Sequence, residues 1–139
     1  MNKVFSILLM AFTFAGFSQV QKGLTSSEFE QLKKDYAEMT RSETYRDMIA
    51  SSKLVARKTN GAMPTTVKTE DDFYKWISEN ISKTAFSSVD EAKSMFKDTK
   101  VLVEKNREEF KEVWTQLLKA SQPQVLELVR AEIKDEVRN

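Results

Sequence analysis

From Val89 to Ala120 apolar side chains return every seven residues. Val89, Phe96, Val103, Phe110 and Leu117 form one column, and Ala92, Thr99, Asn106, Val113 and Ala120 fall between them. No glycine or proline interrupts the run. A mean spacing of about 3.5 residues gathers these side chains on one face of an α-helix, whereas a strand would send successive residues to opposite faces. The pattern predicts one long helix over about residues 89–120, roughly 45–50 Å in length. Phe96, Val103, Phe110 and Leu117 are expected to be mostly buried along it. Met95, Leu102, Trp114 and Leu118 widen the stripe beyond a two-stranded seam, as suits a helix with several neighbours.

The rest of the chain reads as shorter helices. Thr25 and Glu28 form a capping box, with Leu24 placed to staple onto Phe29. Phe29, Leu32, Tyr36 and Met39 follow on one helical face. The phase slips around Thr40 to Thr44, where Thr40 and Glu43 can form a second capping box. Residues 25–59 are therefore either one bent helix or two. Thr59-Asn60-Gly61, with Pro64 beyond, is a stop signal. Residues 60–68 form a linker. Thr69 opens a short helix with Glu70, Asp71 and Asp72 in its first turn, where the helix dipole favours anions. Lys83 to Ser87 reads as a loop, and Ser88 with Glu91 as a further capping box. Pro123 is placed to open a last helix whose apolar face carries Val125, Val129, Ile133 and Val137. The fold class expected is all-α, a bundle of four or five helices built on the long one.

The first residues have a different character. Met1-Asn2-Lys3 carries one positive charge, Val4 to Phe14 is apolar apart from Ser6 and Thr13, and small residues follow at Ala15, Gly16 and Ser18. This order is that of a Sec-type secretory signal peptide, with cleavage expected after Ser18. The apolar run is shorter than the roughly 20 residues that span a bilayer, so no integral membrane segment is expected after cleavage. No cysteine follows the cleavage point, so no lipid anchor is expected either. The organisation read from the sequence is a leader at 1–18 and one helical domain at 19–139, secreted or periplasmic.

Composition narrows the chemistry. The chain has no histidine and no cysteine. Thiol nucleophiles, Ser-His-Asp triads, the common zinc sites and di-iron bundles built on Glu-x-x-His are thereby excluded, and no cofactor is expected. The 22 basic and 21 acidic residues become 21 of each once Lys3 leaves with the leader. A neutral chain is a poor match for nucleic acid, which demands a basic excess. The two halves differ, however. Residues 19–69 carry nine basic and six acidic groups, and residues 70–139 twelve and fifteen. Lys53, Arg57, Lys58 and Lys68 form an all-positive stretch, either a patch for an anionic partner or basic groups complementing a helix C-terminus.

Asn106 is the main polar candidate, because it interrupts an apolar heptad column. Such a residue fixes register or pairing at some cost in stability, lines a hydrated pocket, or sits at the edge of the stripe; if it sets register, Asn106→Leu is expected to raise thermal stability while loosening specificity. Glu104, Glu108 and Glu112 share one helical face among basic residues and read as a solvated charged surface. Glu70, Asp71 and Asp72 read as helix-start charges rather than a calcium loop. Tyr36, Tyr45, Phe73, Tyr74, Phe86 and Trp114 are either core or the lining of an apolar cavity. Leu24 to Glu28 resembles the Leu-Thr-x-x-Gln element of small periplasmic helical chaperones, with Glu28 in place of Gln and no second copy, which implies a chaperone-like mode of binding. These features point to a non-catalytic envelope or extracellular protein that binds another protein. The alternative is a binder of a small apolar or lipid-like ligand between helices. The heptad column is also compatible with a homo-oligomer.

Overall fold

The structure, a computed structural model, describes residues 22–138. The leader expected at 1–18 lies outside the described residues. Those residues form six α-helices and no strand: α1 (Ser26–Arg41), α2 (Glu43–Lys58), α3 (Glu70–Asn80), α4 (Val89–Glu109), α5 (Lys111–Lys119) and α6 (Gln122–Arg138). A short 3-10 turn, Ile81–Lys83, follows α3 and takes up the start of the expected loop. Six helices replace the expected four or five. The described chain divides into two compact units with bundle-like packing, one of residues 47–104 and one of residues 22–46 with 105–138.

The helix starts follow the local chemistry. Thr25 and Glu28 form the reciprocal capping box of α1, and Thr69 and Asp72 form that of α3. Each box satisfies two backbone donors that the first turn leaves without an intrahelical acceptor. The slip near residue 42 resolves into two helices. Ser42 takes an extended ψ of 155°, and its hydroxyl accepts from the Tyr45 N–H at 3.2 Å. Ser42 is thus the capping residue; Thr40 instead donates its hydroxyl to the Ala37 carbonyl. Helix α2 ends as expected, with Asn60 and Gly61 in the left-handed region at φ 54° and 70°.

The long helix expected over 89–120 is interrupted. Helix α4 stops at Glu109, Phe110 takes φ −116° and ψ 41°, and α5 begins at Lys111. Phe96 and Leu117 are buried, whereas Val103 and Phe110 are half-buried. The break has a physical counterpart in the hydrogen bond from Trp114 Nε1 to Asn106 Oδ1, 2.8 Å long. Eight residues of straight helix rise about 12 Å, more than an indole and a carboxamide bridge along one axis. Bending at Phe110 brings the two side chains together.

In the 47–104 unit, Val55, Phe73, Trp76, Ile77, Phe86, Ala92 and Phe96 make the core. The rings of Phe73 and Phe96 stack at 4.7 Å. Helices α2 and α4 are tied by Ser51 to Thr99 at 2.6 Å and by Lys58 to Glu91 at 2.6 Å, an antiparallel order. The Lys58 ammonium also lies 5.7 Å from the Phe86 ring centroid.

In the other unit, α1 buries Phe29, Leu32, Tyr36 and Met39 and packs against α5 and α6. Helix α5 offers Val113, Trp114 and Leu117, and α6 offers Leu128 and Val129. Val125 and Ile133 on α6 are only half-buried, and Val137, expected on its apolar face, is 82% exposed. The segment entering α1 is held to the α5–α6 turn. Gln124 Oε1 accepts from Leu24 N–H and its Nε2 donates to the Leu24 carbonyl, both at 2.9 Å. Gly23 is needed there: its φ is +87°, and a Cβ would sit 3.3 Å from Ser121 Cβ.

Candidate functional site

Asn106 sits near the end of α4 with 0% of its surface exposed. An amide buried so completely needs partners for both its oxygen and its nitrogen. Trp114 Nε1 donates to its Oδ1, and its Nδ2 donates to Thr44 Oγ1 at 3.0 Å. An indole N–H can only donate, so the amide has one orientation. The chain of donors continues along the first turn of α2. Ser42 Oγ donates to the Met39 carbonyl at 2.7 Å, so the Thr44 hydroxyl, 3.3 Å away, is the donor between those two residues. Four side chains from α4, α5 and the α1–α2 junction form one directed polar network.

Next to Thr44 in sequence, Tyr45 takes part in a second polar cluster. Its phenol donates to Glu132 Oε1 and that of Tyr36 to Glu132 Oε2, each at 2.7 Å. One carboxylate of α6 is therefore gripped by a phenol from α1 and a phenol from α2. Burial pushes both phenols well above the usual tyrosine range, and the adjacent Glu132 charge adds to the effect. A tyrosinate beside this carboxylate would be desolvated and repelled. Lys33 on α1 completes the tie to α6 through Glu127 at 3.2 Å. On α5, Gln116 Oε1 is buried without a hydrogen-bond partner among the described residues.

The basic residues read from the sequence belong to the 47–104 unit. Lys53 and Arg57 lie one turn apart on α2, and Lys68 is exposed just before α3. Lys58 is engaged by Glu91, whose carboxyl is held down to about 2, first by Lys58 and then by the Ser87 backbone N–H. Lys58 therefore supports the packing of α2 on α4, and the exposed positive charges of the stretch are those of Arg57 and Lys68, with Lys53 half-buried.

The remaining acidic candidates are dispersed. Glu70 pairs with Lys100 at 2.7 Å and accepts from the Tyr74 phenol, Asp72 is the capping partner of Thr69, and Asp71 is exposed. The Tyr74 phenol is pushed up to about 12 by desolvation and by its bond to Glu70. Glu104, Glu108 and Glu112 are all exposed, and the break at Phe110 separates the last from the first two. The aromatic candidates divide between the units, with Phe73, Tyr74 and Phe86 in one and Tyr36, Tyr45 and Trp114 in the other.

Sequence reading singled out Asn106 and, as an aromatic candidate, Trp114, but neither the bond between them nor Thr44 as the second partner, and it missed Glu132 altogether. The signal that could have found Glu132 is its position on α6, where it follows Leu128 by four residues and so falls on the buried side. Among the described residues, no group of three or more Asp or Glu side chains is placed to hold a metal ion. None of the described helices is long and apolar enough to cross a membrane. No family model, curated protein or solved structure matches the chain.

Proposed function

We propose that the protein is exported and acts, without catalysis, by binding another protein of the cell envelope. The observation that carries this reading is the use to which the perturbed ionisable groups are put. Perturbed groups gathered in a cleft mark a catalytic site, but each one here serves a structural tie. Glu28 and Asp72 close helix starts, Glu91 and Glu70 join helices through Lys58 and Lys100, and the phenols of Tyr36 and Tyr45 hold Glu132. What remains for function is surface. Val101 is 66% exposed on α4 among exposed Lys97, Asp98, Lys100, Glu104 and Lys105, and Leu54 is 46% exposed on α2. An apolar side chain set in a charged surface suits a reversible protein contact with a polar rim. Export rests on the order of charge, apolar run and small residues in 1–18.

The test has two parts. N-terminal sequencing of the exported form should read Gln19-Val20-Gln21; intact Met1 on a cytoplasmic protein would overturn export. Affinity capture from the envelope fraction should recover one protein in defined stoichiometry with the mature chain, and lose it with Val101→Glu. Equal recovery by both forms would remove Val101 from the contact, and recovery of nothing above background would overturn the binding role.

A further inference from the structure

Residues 60–68 join α2 to α3 without regular structure, yet they lie against the core of the 47–104 unit. Met63 and Val67 are half-buried and pack against the cluster that contains Phe73, Trp76 and Phe86. Their neighbours Ala62, Pro64, Thr65, Thr66 and Lys68 are all exposed. Two side chains four residues apart thus attach the segment to the unit. Its backbone adds little to that attachment. The Ala62 N–H donates to Thr59 and the Val67 N–H donates to Pro64, so both bonds close within the segment or onto its own helix end. Opening would break neither of them.

Both ends of the segment are fixed. On one side α2 terminates with the Asn60-Gly61 pair in the left-handed region, and a Cβ on Gly61 would meet nothing within 4 Å. Asn60 is anchored by its side chain to the Lys83 carbonyl at 3.4 Å. On the other side the Thr69–Asp72 capping box starts α3, and Asp72 also accepts from the Lys68 N–H. A span with firm ends, internally closed hydrogen bonds and two apolar anchors can swing away at the cost of those anchors alone. Local openings of this kind lie well below global unfolding in free energy.

We infer that residues 60–68 form a lid that opens locally on the aromatic core of the 47–104 unit. Opened, it withdraws Met63 and Val67 and uncovers the part of the core against which they pack.

Thermolysin cuts on the amino side of bulky apolar residues and takes that side chain into its own pocket. Cleavage at Ala62-Met63 or Thr66-Val67 therefore requires the anchor to leave the core first. With the unmodified mature protein, the first cut should fall at one of these two bonds. Its rate should be unaffected by urea below the unfolding transition, and at least about 100-fold above the rate that global unfolding sets. First cleavage at another bond, or cleavage here at a rate that follows global unfolding, would overturn the inference.

Discussion

Replacing Asn106 with leucine is the sharpest perturbation of the polar network. The heptad column alone favours the leucine, since it restores an apolar residue where the pattern wants one. The hydrogen bonds reverse that sign. With Asn106 at 0% exposure, the substitution would remove the acceptor 2.8 Å from the Trp114 indole nitrogen and the donor 3.0 Å from the Thr44 hydroxyl. A buried polar group that loses its partner costs about 1–3 kcal/mol; the Trp114 indole is left with none, while the Thr44 hydroxyl keeps its bond to Ser42 and loses only a donor, so the two losses amount to about 3 kcal/mol. Burying the leucine side chain returns about 2 kcal/mol. The variant should thus be about 1 kcal/mol less stable, a drop of roughly 3–5 °C in Tm for a chain of this size. Urea unfolding followed by far-ultraviolet circular dichroism measures this directly. Adding Thr44→Val and Trp114→Phe should recover most of the loss, because no polar partner is then stranded. A leucine variant at least as stable as the parent would refute the reasoning.

The remaining expectations concern charge and packing. All three tyrosines, Tyr36, Tyr45 and Tyr74, have phenols raised above the ordinary value of 10.0, so native protein at pH 10.5 should show almost no tyrosinate absorbance near 295 nm. Because the folded values are raised, this stabilisation is complete below about pH 10 and is lost as pH rises; half-ionised phenols in folded protein at pH 10.5 would contradict the buried clamp. Glu91 has the opposite sign: its carboxyl is held near 2 from an ordinary 4.5, so its contribution is present above about pH 4.5 and fades as pH falls toward 2. Glu91→Gln should flatten the fall of Tm over that window, and an unchanged acid profile would show that the Lys58 pair contributes nothing. Phe110→Ala, at a half-buried break, should cost about 1–2 kcal/mol, whereas Phe73→Ala, 1% exposed and stacked on Phe96, should cost about 3–5 kcal/mol by denaturant titration. Equal losses would mean that position 110 is buried as the heptad pattern requires.

How far the sequence discloses this fold depends on the range of the interaction concerned. Thr25 with Glu28, Thr69 with the acids after it, and Asn60-Gly61 are local signals, and the helices start and stop where they say. Ser42 was obscured because Thr40 and Glu43 offer an equally good local pattern; what selects Ser42 is the polar company of Thr44 and Asn106, far apart in sequence. The break at Phe110 has the same origin. Residues 89–120 contain no glycine or proline, and local propensity favours one continuous helix. Trp114 meets Asn106 across the break, and the other side of the same amide is taken by Thr44, 62 residues away in sequence. Glu132 was invisible for a related reason. A lone carboxylate on a helix reads as solvated surface until two phenols from other helices are known to meet it. Apolar periodicity therefore located the helices, while the long-range polar contacts decided where they bend and how α6 is held. If those contacts are structural, substitutions at Asn106, Tyr36, Tyr45 and Glu132 should change stability without selectively weakening partner capture. Val101, which the fold leaves exposed, should do the reverse, and that separation of effects distinguishes a scaffold held by buried polar ties from a functional site built of them.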